Sequence, residues 1–170
     1  MTTKDINTLD MDFHKTLNKW VLWAHLPHDT DWSINSYKPI YKFTSVEETI
    51  AITETLPEVL LTNCMLFVMK EGIQPMWEDP RNKDGGCFSY KVINKNVVEC
   101  WKNLTYLLVG ETLSSSNAVM DAITGITISP KKNFCIVKIW LTNQDYQNPK
   151  AIKPIAGLQA DGCIFKIHDS

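Results

Sequence analysis

From Lys95 to Val109 the apolar residues Val97, Val98, Trp101, Leu104 and Leu108 recur at helical spacing, and Gly110 stands where a C-cap belongs. A helix with one apolar stripe must bury that stripe against another element. The rest of the chain offers strands for the purpose. The run Asn18 to His25 is aromatic and β-branched, Tyr37 to Phe43 reads as a second strand, Cys64 to Lys70 as a third and Phe88 to Ile93 as a fourth. Val119 to Ile128 and Phe134 to Leu141 read as two more strands, joined by the turn Pro130-Lys131-Lys132-Asn133, and Cys163 to His168 as a last one. Two further helices are expected. One covers Val46 to Leu56, with Ser45 as N-cap and Glu48 three residues on in a capping box; the other covers about Asn148 to Leu158. Many strands with a few helices between them predict an α+β fold, a mostly antiparallel sheet with its helices on one face.

A length of 170 residues, with 44% hydrophobic and 21% charged residues, fits one globular domain, expected over residues 14–170 behind a disordered N-terminal tail at 1–13. Seventeen basic and nineteen acidic residues leave a formal charge of -2, which excludes a protein that holds long nucleic acid by general phosphate attraction. The five cysteines are odd in number and form no C-x-x-C pair, so reduced intracellular thiols are expected. The polar, acidic N-terminus carries no secretory pattern, and no apolar stretch approaches the ~20 residues of a membrane span. A monomer in the cytoplasm or nucleus, with no membrane partner, is the resulting expectation.

Six tryptophans exceed what a small core needs, because each indole brings an N–H that wants a partner. Trp20, Trp23 and Trp101 fall within strand or helix periodicity and read as core. Trp32, between Asp31 and Ser33, and Trp77, between Met76 and Glu78-Asp79, sit in polar loops. A loop tryptophan is as often a lid on the core as a ligand contact. Two of them, with Trp77 directly followed by the Glu78 carboxylate, point to a nucleobase site. Indoles stack on bases, and a carboxylate accepts the paired N–H donors that guanine displays on its Watson–Crick edge.

The segment Gly72-Ile73-Gln74-Pro75-Met76-Trp77-Glu78-Asp79-Pro80-Arg81-Asn82-Lys83-Asp84-Gly85-Gly86 resembles the G-I-x-P-M-W-E-D-x-x-N-K-x-G-G signature of the eukaryotic translation initiation factor 4E family of cap-binding proteins. His14 with Asn18, Trp20 with Trp23, Lys42-Phe43, Val46-Glu47, Trp101 before Leu107 to Glu111, and Ile139-Trp140 follow in matching order, so the resemblance runs from about His14 to Trp140. It implies a curved sheet with helices on the convex face and a cap site in the concave one. The methylated guanine of capped messenger RNA would lie between Trp32 and Trp77, although the stretch from Trp32 to Phe43 is one residue longer than usual. N7 methylation makes the base cationic, which adds cation–π attraction to stacking. Glu78 would read the guanine edge, helped by the Trp77 N–H, and Trp140 would touch the methyl group, core packing being its alternative.

Two surfaces depart from the family pattern. The usual phosphate-binding arginine falls at about Ser129, leaving Lys131, Lys132 and Lys138 as candidates for the triphosphate; a solvated charge is the alternative for each. On the face that receives a scaffold initiation factor or repressors, the family's tryptophan is Ile50, its His-Pro pair is His14-Lys15, and its leucine and glutamate are Lys102 and Asn103, with Val46 retained. Scaffold binding through altered contacts is therefore expected, and a cap-binding regulator or decoy that recruits no scaffold is the alternative function. The C-terminus is short, so the loop that reaches the second nucleotide is expected to be missing. His25-x-x-His28 near Asp29 and Asp31 has zinc-like spacing, but Pro27 and the loop fix no ligand geometry, and a solvated loop is preferred. With no phosphate loop, nucleophile elbow or clustered glutamates, no enzyme, metal or cofactor is expected.

Overall fold

The run Met65-Leu66-Phe67-Val68-Met69 is apolar at every position, as a strand must be when both of its faces are covered. In the computed structural model, which describes residues 13–168, this run is β3 (Met65–Lys70). It lies in one seven-stranded sheet with β1 (Lys15–His25), β2 (Tyr37–Ser45), β4 (Gly86–Ile93), β5 (Ile123–Pro130), β6 (Phe134–Leu141) and β7 (Ile164–Ile167), in the order β2-β1-β3-β5-β6-β4-β7. Every pairing is antiparallel. The disordered tail expected at 1–13 lies, Phe13 apart, outside the described residues.

Alternation sorts the side chains onto the two faces. Leu66 and Val68 join Trp20, Leu22, Ile126, Val137 and Phe88 in the larger core. Against this face packs the helix predicted from periodicity, α3 (Val97–Val109), which buries Val97, Cys100, Trp101, Leu104 and Leu108; α1 (Val46–Thr55) and α2 (Glu58–Asn63) lie beside it. Phe67 and Met69 point the other way, into a smaller cluster with Ile73, Cys87 and Trp140. Gly125 of β5 permits this close packing. A Cβ there would stand 2.3 Å from Met69 Sδ and 2.5 Å from the Val68 carbonyl oxygen.

The capping box is present: Ser45 Oγ accepts from Glu48 N at 3.1 Å, and Glu48 reaches back to the Thr44 and Ser45 hydroxyls. Three expectations need correction. The strand predicted from Val119 begins only at Ile123, because Ser116 caps a short helix, α4 (Asn117–Ala122), by accepting from Val119 N at 3.3 Å. Helix α2, which Pro57 introduces, was not anticipated. The helix predicted over Asn148 to Leu158 is absent; a 3-10 turn at Pro149–Ala151 and an isolated bridge between Ile155 and Leu158 take its place. Its apparent period came from Ile152, Ile155 and Leu158, which are buried without a helix. Pro154 removes a backbone donor, and Gly157 at φ +94° takes a left-handed conformation that a helix does not hold.

Candidate functional site

The face of the sheet opposite α3 holds an open cavity of about 460 Å³. The strand register explains which side chains reach it. Trp140 on β6 is paired with Cys87 on β4, and Cys87 with Lys166 on β7, so all three point to the same side. Lys138 and His168, two residues along from Trp140 and Lys166, also line the cavity. Phe67 and Trp140 form its floor with ring centroids 6.5 Å apart, and Trp140 is buried. The two loops at the strand ends supply the walls: Trp32 and Tyr37 from one side, Met76, Trp77 and Glu78 from the other.

The loop that carries Trp77 is organised around two buried polar side chains. Asp79 accepts from the backbone of Gln74 at 2.8 Å and of Arg81 at 2.9 Å. Asn82, fully buried, donates to the carbonyls of Gln74 and Met76 and accepts from the Thr124 hydroxyl at 2.8 Å, which ties the loop to β5. A buried amide satisfied at both ends fixes backbone geometry well, since leaving either end unpaired is costly. The Trp32 loop is held more locally. Asp31 accepts from the Ser33 amide and hydroxyl, which holds its carboxyl below the usual range, and Asp29 accepts from the Asp31 amide. Trp32 is 56% exposed, and its ring lies flat on the buried His25 imidazole, with centroids 3.9 Å apart and planes within 4°.

The cavity is lined by charges of both signs. Burial, then the Glu78 carboxylate, raises the Tyr37 hydroxyl. Lys138 and Lys166 also line the cavity, and neither is in an ion pair among the described residues. His168 packs on Trp140 at 4.8 Å. Burial, then the Lys138 ammonium, pushes its imidazole down to about 4, so it is neutral at neutral pH. The buried His168 Nε2 has no hydrogen-bond partner in the protein.

Of the residues singled out in the sequence, Trp32, Trp77, Glu78, Lys138 and Trp140 therefore share one cavity, whereas Lys131 and Lys132 sit in the β5–β6 turn, outside its lining. The sequence reading missed Tyr37, Lys166 and His168. Lys166 lies on β7 and His168 one residue past its end, a spacing of two that puts both on one face where the extended backbone continues. On the helical side, Val46 and Ile50 line an apolar groove of about 270 Å³ with Thr49, Glu54, Tyr106 and Val109. Glu54 accepts from Lys102 at 2.8 Å and from the Tyr106 hydroxyl at 2.5 Å. His14 is bound to Glu47 through its backbone N–H and its ring, and Asn103 lies outside the groove lining. Glu54 and Tyr106 carried no sequence signal.

A single antiparallel sheet, helical on one face and opening on the other into an aromatic trough lined by charges of both signs, defines an α+β protein of one curved sheet. The chain belongs to the eukaryotic initiation factor 4E family, whose model matches residues 15–162. It is 30% identical over 136 residues to eukaryotic translation initiation factor 4E-2 of Schizosaccharomyces pombe, a match covering 76% of this chain and 54% of that protein. The initiation factor 4E homolog of Acanthamoeba polyphaga mimivirus is 27% identical, over 68% of this chain and 50% of its own length. The chain thus spans about half the length of these relatives. Its fold is that of a Schistosome initiation factor 4E solved in complex with m7GpppG and 4E-BP, with a TM-score of 0.71 and 23% identity over 79% of this chain and 75% of that one.

Proposed function

We propose that the protein binds the 7-methylguanosine cap of messenger RNA and acts, without catalysing a reaction, as a monomeric translation initiation factor of the cytoplasm or nucleus. The observation that carries this reading is the convergence of Trp32, Trp77 and Glu78 on one cavity floored by Trp140. The base stacks between the two loop indoles, each worth ~1–3 kcal/mol, and the positive charge that N7 methylation creates is drawn to their electron-rich faces. Glu78 accepts from guanine N1–H and N2–H, and Trp140 meets the methyl group. An adenine would leave that carboxylate unpaired. The phosphates run toward Lys138, with Lys166 beside it across β4, in place of the arginine usual near Ser129. The test is a tryptophan-fluorescence titration with 7-methyl-GTP against GTP, in wild type and Glu78→Ala. Saturable quenching by the methylated ligand, lost in the variant, is expected; equal response to both nucleotides would refute cap recognition.

A scaffold initiation factor is the second partner, taken through the groove at Val46 and Ile50. One observation favours the alternative of a regulator or decoy without scaffold: Glu54, bound to Lys102 and Tyr106, puts a hydrogen-bonded ionic network where a partner helix would want an apolar seat. Titration with a scaffold-derived helical peptide separates the two. Micromolar or tighter binding supports the initiation factor, and binding that appears only in Lys102→Leu supports the decoy.

A further inference from the structure

His25 is a buried, ring-bearing residue beneath Trp32, the most exposed tryptophan of the site. We propose that His25 is a positioning residue of the base site, which sets Trp32 as a preformed stacking wall before ligand arrives. The proposal rests on the reading of the cavity as a base-stacking site and adds a residue to it.

His25 is the last residue of β1, 3% exposed, opposite Tyr37 on β2 and Met65 on β3. Neighbouring strands on both sides fix its backbone. Its ring makes two contacts with the Trp32 loop. One is the flat stack on the indole, at 3.9 Å and 4°. The other joins Nε2 to the Asp31 carbonyl oxygen at 2.8 Å. A carbonyl only accepts, so Nε2 carries the proton and donates it. One side chain thus holds both the ring of Trp32 and the backbone just before it. Tyr37 closes the corner edge-on, 5.2 Å from His25 and 6.5 Å from Trp32.

Two consequences follow from this geometry. An indole that is 56% exposed on a polar loop would otherwise sample several rotamers and lose them on binding. The imidazole stack removes that loss in advance. It also covers one face of the indole, so a base can stack only on the other, and the layers run imidazole, indole, base, then the Trp77 indole.

The test uses the full chain with two substitutions. His25→Leu keeps volume but removes both the planar stack and the donor, and His25→Phe restores the stack alone. Two quantities are read: the 15N relaxation of the Trp32 indole N–H in the free protein, assigned with Trp32→Phe, and the affinity for 7-methyl-GTP. In wild type the indole is expected to relax as the strands do. His25→Leu is expected to free it and weaken 7-methyl-GTP about tenfold, and His25→Phe to recover most of both. Ile126→Val, on the opposite face of the sheet, controls for general loss of stability and is expected to leave affinity unchanged. A rigid indole and wild-type affinity in His25→Leu would overturn the proposal. Failure of the cap reading looks different: wild type would not distinguish 7-methyl-GTP from GTP, while the indole would still loosen in His25→Leu.

Discussion

The two loops that present Trp32 and Trp77 place the same side chain on opposite sides of one cavity and hold it by different means. The Trp77 loop is anchored through buried polar groups: Asn82 is fully buried and bonded to Thr124, and Asp79 gathers two backbone amides. The Trp32 loop is tied by exposed turns at Asp29, Asp31 and Ser33, and to the sheet through His25. An anchor inside the protein links site geometry to global stability, because breaking it leaves buried groups unpaired. A loop tied at the surface can change shape at little cost to the fold. One wall of the cavity is therefore held by buried polar bonds within the fold, and the other by exposed turns together with the single buried ring of His25.

The comparison is broken most strongly at Asn82. Asn82→Ala orphans two loop carbonyls and the Thr124 hydroxyl and is expected to cost ~3 kcal/mol of stability, measured by urea unfolding, together with the response to 7-methyl-GTP. Next come the rings themselves. Trp77→Ala and Trp32→Ala should each weaken 7-methyl-GTP by ~1–3 kcal/mol, read by calorimetry. Each should keep the wild-type unfolding midpoint to within a small shift, since neither ring belongs to the main core. A smaller effect is expected at Asp31. Asp31→Ala removes the exposed turn and should weaken binding only slightly, with no measurable change in stability. If Asp31→Ala destabilised the protein as much as Asn82→Ala, the distinction between the loops would fail.

A further effect, on stability and not on binding, is a pH dependence at His168, which packs on Trp140. His168 is held neutral down to about 4 in the folded protein, while the unfolded chain takes up the proton near the ordinary histidine value. Between those values the unfolded state binds more protons, so stability is full above about pH 6.5 and falls as pH drops toward 4. With allowance for solvent screening the contribution is roughly 1 kcal/mol. Thermal unfolding between pH 7 and 4.5 should show a shallower decline in His168→Phe than in wild type.

A second comparison concerns the two sides of the sheet. The trough brings together Trp32, Trp77, Glu78 and Trp140, the residues that the resemblance singled out for the cap, whereas the helical groove carries Ile50 where the resemblance leads one to expect a tryptophan, and is lined beside it by Glu54 and Tyr106, with Lys102 bonded to Glu54. The sequence showed the departures, because a missing tryptophan or leucine is visible residue by residue. It did not show the Glu54 network. Glu54 and Lys102 lie on different helices, 48 positions apart, and only packing brings them within 2.8 Å.

What the sequence determined by itself is what local physics encodes. Aromatic and β-branched runs marked the strands, the 3.6-residue period marked α3, Ser45 and Glu48 marked the start of α1, and Trp77-Glu78 set an indole beside a carboxylate in one dipeptide. Where local signals conflicted they misled: the spacing of Ile152, Ile155 and Leu158 imitated a helix that Pro154 and Gly157 forbid. Only the tertiary structure decided which lysines face the cavity, that β7 and the residue after it bring Lys166 and His168 there, and that His25 lies flat beneath Trp32. These depend on strand order and register. Both are set by burying the two faces of the whole sheet at once, and no window of sequence contains that condition.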